Sequence, residues 1–178
     1  FKADLSKPGF PKELILSDPD YDVSGSLIYS AAHKEVVGIY YNDGSSKSIF
    51  WNKEFKAFQG GLDKVMPDTT NYIASMSADA RKYILYTTNS TNPGTYFYGD
   101  RDAKTLTYLA SAYPQLTEDV LIEKESRHFK ARDGLELEGF LSLPKNFANK
   151  PTAAIILPHG GPMSNDGQLG RTTCRARV

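Results

Sequence analysis

The stretch Ala153-Ala154-Ile155-Ile156-Leu157-Pro158-His159-Gly160-Gly161-Pro162 joins an apolar run directly to a glycine-rich loop. The run carries no charge, which is typical of a short strand covered on both faces, and we predict such a strand over Thr152 to Leu157. Glycine after a strand lets the backbone approach a bound molecule closely, and a backbone N–H there can stabilise negative charge developing on a reacting oxygen. On the loop alone, an ordinary tight turn after a strand remains an equal alternative.

The composition is that of an ordinary globular protein, with 178 residues, 40% hydrophobic and 24% charged, and a formal net charge of zero. No basic stripe points to nucleic acid, and no run approaches the roughly 18 apolar residues of a membrane span. The single cysteine, Cys174, excludes an internal disulfide and a cysteine-based zinc site, so the compartment stays open between cytoplasm and periplasm. No phosphate-binding, dinucleotide-binding or histidine–carboxylate metal motif is present, and we expect no cofactor.

Short apolar and aromatic runs alternate with turn residues from residue 20 to about residue 110, as in antiparallel β-meanders. Two sets of strands are predicted, at residues 27–29, 36–41 and 48–51, and at residues 72–76, 82–88, 95–98 and 105–109. Asn42-Asp43-Gly44 is the predicted hairpin turn of the first set. The spacing of the second set is typical of one blade of a β-propeller, and we interpret residues 27–29 and 84–86 as equivalent strands of neighbouring blades.

A short amphipathic helix is predicted between the two sets, because apolar residues recur there at three- and four-residue spacing. These residues are Phe55, Phe58, Leu62 and Val65. Pro67 ends the pattern, and Gly60-Gly61 weakens it. Most of the 11 tyrosines lie in the predicted strands, where we interpret them as sheet-packing residues rather than as a stacking platform for a ligand.

The character of the chain changes after Tyr113-Pro114, where a polar segment reads as a connection between domains. A hairpin is predicted next, with strands at 127–131 and 135–141 around the turn Arg132-Asp133-Gly134. By strict alternation, its apolar residues Leu135, Leu137 and Leu141 fall on one face.

Three pieces in this order carry a resemblance to a known family. They are Phe129-Lys130-Ala131-Arg132-Asp133-Gly134, Gly139-Phe140-Leu141 with Leu143-Pro144, and Ile155 to Pro162. Together they resemble the start of the catalytic domain of the prolyl oligopeptidase family of serine peptidases, in its acylaminoacyl and dipeptidyl peptidase branch. The resemblance covers about residues 15–165. It implies a mainly β chain, with a partial β-propeller of about two blades followed by the first strands of an α/β-hydrolase sheet.

The resemblance divides the chain into four parts. Residues 1–114 are the C-terminal blades of a propeller, 115–125 an interdomain connection, 126–166 the start of the hydrolase domain and 167–178 an aberrant tail. The tail has no apolar periodicity, and we interpret it as the product of a reading frame that shifts near Asp166; a divergent native tail is the alternative. Since Phe1 stands where an initiator methionine would be, we interpret the chain as a fragment.

For the intact enzyme, the resemblance implies hydrolysis of short peptides by a Ser–His–Asp mechanism. It assigns one oxyanion-hole donor to the backbone N–H of Gly161, and it gives His159, Gly160 and Pro162 the role of shaping the loop. The Gly-x-Ser-x-Gly motif that presents the nucleophile is absent, so we expect this chain alone to be inactive.

Two alternatives remain at this stage. One is a non-catalytic β-propeller interaction module with a hydrolase-like extension. The other is an esterase or lipase, which is disfavoured because propeller-like repeats precede the hydrolase strands. Substrate preference and oligomeric state stay open.

Overall fold

The computed structural model describes residues 1–19, 23, 25–41, 47–117, 119–147, 153–158 and 160–161. This part of the chain is mainly β, as predicted, and its strands form small antiparallel sheets. In chain order the elements are β1 (Lys2–Ala3), β2 (Lys12–Glu13), β3 (Gly25–Ser30), β4 (Glu35–Tyr41), β5 (Lys47–Phe50), α1 (Lys53–Val65), β6 (Thr70–Met76), β7 (Lys82–Thr88), β8 (Thr95–Asp100), β9 (Thr105–Ser111), β10 (Glu125–Lys130) and β11 (Glu136–Leu141).

The two predicted meanders are confirmed as antiparallel sheets. One sheet contains β3, β4 and β5, and the other contains β6 to β9, each in chain order. The ends of the observed strands lie within one or two residues of the predicted ends. The predicted turn Asn42-Asp43-Gly44 lies outside the described residues, but the strands that flank it pair, with Tyr41 opposite Lys47.

The predicted equivalence of residues 27–29 and 84–86 is wrong. The first run belongs to β3, at the edge of its sheet, whereas the second belongs to β7, in the interior of the four-stranded sheet. The counterpart of β3 is β6, because each begins its sheet. The two runs look alike because β-branched and aromatic residues favour strands generally, whatever place a strand takes in its sheet.

Helix α1 forms where the apolar spacing predicts it. Asn52 caps its first turn, since the side-chain Oδ1 accepts hydrogen bonds from the backbone N–H of Glu54 at 3.0 Å and of Phe55 at 3.3 Å. Helix α1 is the one helix in the described part of the chain. It lacks the length and apolar composition needed to cross a membrane.

The helix buries Phe55 and Leu62, as the spacing predicts. Val65, predicted on the same face, is instead 69% exposed. It is the last residue of α1, and the next residue, Met66, packs against the core in its place.

The helix and the two sheets share one apolar core, with α1 packed against β5 and β6. Its buried members are Val37, Phe50, Phe55, Leu62, Ile73, Ala80, Tyr83 and Leu85. The rings of Phe50 and Phe55 stack with centroids 5.6 Å apart. Because these residues come from both sheets and from the helix, the core holds the segment from β3 to β9 together as one unit, which we call the two-sheet unit (residues 25–111).

A buried polar contact fixes the junction of α1 and β6. Gln59 Nε2 donates to Asp63 Oδ1 at 2.9 Å and to the carbonyl oxygen of Asn71 at 3.0 Å. Asn71 Nδ2 donates to the same Asp63 oxygen at 3.0 Å. A carboxylate that accepts from both elements holds β6 at the end of the helix.

The predicted hairpin is confirmed by β10 and β11, which pair with Phe129 opposite Leu137. Gly134 takes the positive φ angle of 89° that its turn requires. No residue of the hairpin is buried, and the side chains of its predicted apolar face are exposed or half-buried. Leu135 lies in the turn, before β11 begins. The described residues of the predicted connection before Glu125 form neither helix nor strand.

A further pair of strands, β1 and β2, was not predicted from the sequence. Each has two exposed residues, and Gly9 and Phe10 reverse the chain between them with φ angles of 78° and 47°. Strands this short leave no period in the sequence to detect.

Candidate functional site

The described part of the predicted buried strand, residues 153–158, has no regular secondary structure and is exposed throughout. Ile155 is 79% and Ile156 is 89% exposed. The predicted strand is therefore wrong for these residues. No strand in the described part of the chain pairs with the segment, so it gains neither ladder hydrogen bonds nor apolar cover.

The glycines of the candidate oxyanion-hole loop follow this segment. Gly160 and Gly161 are both exposed, and a Cβ atom added at Gly160 would meet no heavy atom within 4 Å. An added side chain at Gly160 would therefore point into open space. His159 and Pro162, predicted to shape the loop, lie outside the described residues, as does the tail at 167–178.

By itself, this loop supplies a hydrogen-bond donor and no nucleophile. The sequence has no Gly-x-Ser-x-Gly elbow to place a serine hydroxyl against it. Within the described ranges, no three His, Cys, Asp or Glu side chains are grouped to hold a metal ion. The assignment of Gly161 as an oxyanion-hole donor stays a prediction.

A second group of reactive residue types, which we call the turn cluster, consists of Ser30, His33, Glu54 and Arg101. Ser30 Oγ lies 3.1 Å from His33 Nδ1, and His33 Nε2 lies 3.3 Å from Glu54 Oε2. Arg101 Nη2 donates to Glu54 Oε1 at 2.8 Å. The hydrogen bond from Arg101 lowers the pKa of the Glu54 carboxyl, and partial desolvation opposes that shift.

The turn cluster has the residue types of a hydrolytic relay, but its side chains are engaged with one another and with the core. Ser30 is only 6% exposed, and its Oγ also accepts a hydrogen bond from the backbone N–H of His33 at 3.2 Å. The His33 ring stands edge-on to Phe55, and the Arg101 guanidinium lies 4.6 Å above the Phe58 ring. We therefore interpret the cluster as a structural tie between the β3–β4 turn, the start of α1 and the β8–β9 turn.

Comparison with known proteins gives one informative similarity. The chain is 28% identical over 163 residues to dipeptidyl aminopeptidase BIII of Pseudoxanthomonas mexicana. The aligned region covers 87% of this chain and 23% of the relative, so the chain spans less than a quarter of that protein's length. No family model matches the chain. The similarity supports a relationship to peptidases.

Proposed function

We propose that this chain is part of a serine peptidase of the prolyl oligopeptidase family, with propeller blades ahead of the first hydrolase strands. The observation that carries the proposal is the similarity to a dipeptidyl aminopeptidase over 87% of the chain. The order of the parts supports it, since two meander sheets are followed by a hairpin and then by the glycine loop.

The two sheets suit successive blades of a propeller. Both are antiparallel meanders in chain order. They also bury apolar side chains in a common core, as neighbouring blades must. In the proposed enzyme these blades restrict access by size, so that short peptides are the substrates.

The proposed role of Gly161 follows from the chemistry of peptide hydrolysis. A serine hydroxyl attacks the scissile carbonyl carbon, a histidine takes the hydroxyl proton, and the carbonyl oxygen becomes an oxyanion. The Gly161 N–H donates a hydrogen bond to that oxyanion. The histidine then passes the proton to the leaving amine, and water hydrolyses the acyl-enzyme. One such donor contributes about 10²–10³-fold to kcat.

The exposed loop fits this role as one half of a site. A glycine there leaves no side chain between the backbone and the tetrahedral intermediate.

The test compares the 178-residue chain with the product of the longest reading frame that contains it. Two measurements are made on each: release of a chromophore from dipeptidyl amides, and labelling by a fluorophosphonate that reacts with activated serine. We expect the longer product to be labelled and active, and the 178-residue chain to be neither.

Two results would contradict the proposal. One is turnover with serine labelling by the pure 178-residue chain. The other is a longer product that folds but neither cleaves peptides nor reacts with the fluorophosphonate, which would favour the interaction-module alternative.

A further inference from the structure

The first strand of each sheet takes part in an irregular pairing. Opposite β3 the register shifts between Ile28 and Tyr29 and leaves Val37 of β4 unpaired, whereas in β6 it shifts between Ile73 and Ser75. A β-bulge leaves a residue out of the ladder and bends the strand, and bulges are frequent beside binding sites. Ala74 is the residue left unpaired in β6.

A cavity of about 280 Å³ lies between the first strands of the two sheets, β3 and β6. Its deeper wall is apolar and includes Ile28, Phe50, Phe55, Ile73 and Met76. Tyr29 and Ala74 also line it and are exposed, so the cavity reaches the surface there. A cavity of about 150 Å³ with apolar walls suffices for benzene, so this one has room for a leucine or phenylalanine side chain.

The cavity is bordered by the edges of strands as well as by side chains. Five consecutive residues of the β3 region, 27–31, and five of the β6 region, 73–77, line it. Successive side chains of a strand point to opposite faces, so an unbroken run along a cavity places the strand's backbone edge against it. Both strands are at the edge of their sheets, and no strand in the described ranges pairs with the outer side of either.

One backbone acceptor on this side of β6 is already used. The Tyr40 hydroxyl donates a hydrogen bond to the carbonyl oxygen of Ile73. The outer edge of β3 thus offers a longer run of backbone donors and acceptors than the outer edge of β6 does. An exposed strand edge of this kind pairs readily with another extended chain.

The geometry points to a binding site for an extended peptide, which pairs with the outer edge of β3 and places one apolar side chain in the cavity. The ligand needs backbone donors and acceptors together with an apolar group of leucine or phenylalanine size. Extended peptides meet both requirements. The choice of a peptide rests on the proposed function, because a peptidase meets extended peptides, but binding here requires no hydrolysis.

Fluorescence anisotropy of the 178-residue chain with a labelled, end-blocked peptide, Ser-Thr-Leu-Thr-Ser, tests the site. Two control peptides separate the two contacts: one has glycine in place of the leucine, and the other has methylated backbone nitrogens. We expect saturable binding of the first peptide and at least about tenfold weaker binding of both controls. Equal binding of all three, or no binding of the first to the folded chain, would overturn the proposal.

A matched pair of variants locates the site. Ala74→Arg places a long charged side chain at the cavity, whereas Ala110→Arg makes the same change on the exposed edge strand β9, away from the cavity. We expect only the first to weaken binding by about tenfold or more. An equal loss in both would overturn the location, and circular dichroism checks that both stay folded. Binding needs no turnover, so the two proposals can fail separately. If the longer product folds and binds the peptide but hydrolyses nothing, the proposed hydrolysis is refuted and the binding site is supported.

Discussion

The two-sheet unit and the segment from β10 to Gly161 respond differently to the same kind of sequence pattern. In the two-sheet unit, alternating apolar residues find partners, and Val37 and Leu85 are fully buried. In the second region, the hairpin pairs with itself but buries nothing, and residues 153–158 form no strand at all. The lesson is that an apolar pattern specifies a buried element only where other elements are present to cover it.

The hairpin shows what local sequence can achieve alone. Its two strands are joined by a short turn, so their pairing needs no distant partner. A two-stranded hairpin is at best marginally stable in water by itself. We therefore expect mutations to have large effects in the two-sheet unit and small ones in the hairpin.

The largest expected difference comes from matched leucine truncations. Leu85→Ala removes a fully buried side chain from the core and should lower the free energy of unfolding by about 3–5 kcal/mol. Leu141→Ala, in the exposed hairpin, should change it by less than about 0.5 kcal/mol. Urea unfolding followed by the fluorescence of Trp51, the one tryptophan, reports on the two-sheet unit. Similar losses in both variants would break the comparison.

A second matched pair adds a methyl group instead of removing several. A Cβ atom at Gly99 would come within 2.0 Å of the buried Tyr83 ring, and Gly99→Ala should therefore cost about 1–3 kcal/mol. At Gly139, in β11, the nearest atom is 3.3 Å away on the exposed Phe129 ring, which can move aside. We expect Gly139→Ala to leave the Trp51 unfolding midpoint unchanged, and a loss as large as that of Gly99→Ala would contradict this.

The helix offers a change of opposite sign. A Cβ atom at Gly61 would meet nothing within 4 Å, and the residue lies inside α1. Gly61→Ala should raise the free energy of unfolding by about 0.5–1 kcal/mol, because alanine loses less backbone freedom in a helix. Thermal unfolding measures the gain, and Gly60→Ala is the neighbouring control for which the same result is expected. A loss of stability would show that an added methyl group at Gly61 clashes with a neighbouring residue, contrary to this prediction.

The smallest expected effect is electrostatic. Because Arg101 holds the pKa of Glu54 below its unfolded value, the unfolded state binds more protons as the pH falls. The contribution of Glu54 is thus complete above about pH 5 and is lost as the pH falls through the lowered pKa. For a pair this exposed we expect about 0.5 kcal/mol at pH 7, measured as the difference in unfolding between the parent and Glu54→Gln.

This difference should shrink as the pH falls from 7 through the lowered pKa of Glu54. Glu123→Gln, an exposed change outside the two-sheet unit, should show no difference at pH 7 or at acid pH. A Glu54 effect that grows as the pH falls would contradict the assigned sign.

The strands and the helix of the two-sheet unit could be predicted because each follows from local periodicity. The turn cluster could not, since Glu54 and Arg101 are 47 residues apart and meet only after α1 packs beside the β8–β9 turn. The bulges in β4 and β6 were also beyond prediction. The match between β3 and β6 was missed because it depends on the place of each strand in its sheet.

The candidate site shows the same difference between what local sequence predicts and what depends on the rest of the fold. Sequence pattern and family resemblance together selected Gly161, but the role of a backbone N–H depends on what faces it. The apolar run before the loop was predicted to be a strand covered on both faces, but the described residues do not cover it. The assignment of Gly161 therefore remains a prediction.

The most direct test of this assignment is the kcat of the longer product carrying Gly161→Pro, which removes the proposed donor hydrogen. Gly139→Ala in the hairpin is the control, because the nearest atom to an added Cβ lies 3.3 Å away on the exposed Phe129 ring. We predict that Gly161→Pro lowers kcat by about 10²–10³-fold with little change in KM, while Gly139→Ala stays close to the parent. A folded Gly161→Pro enzyme with the parent's kcat would contradict the central claim.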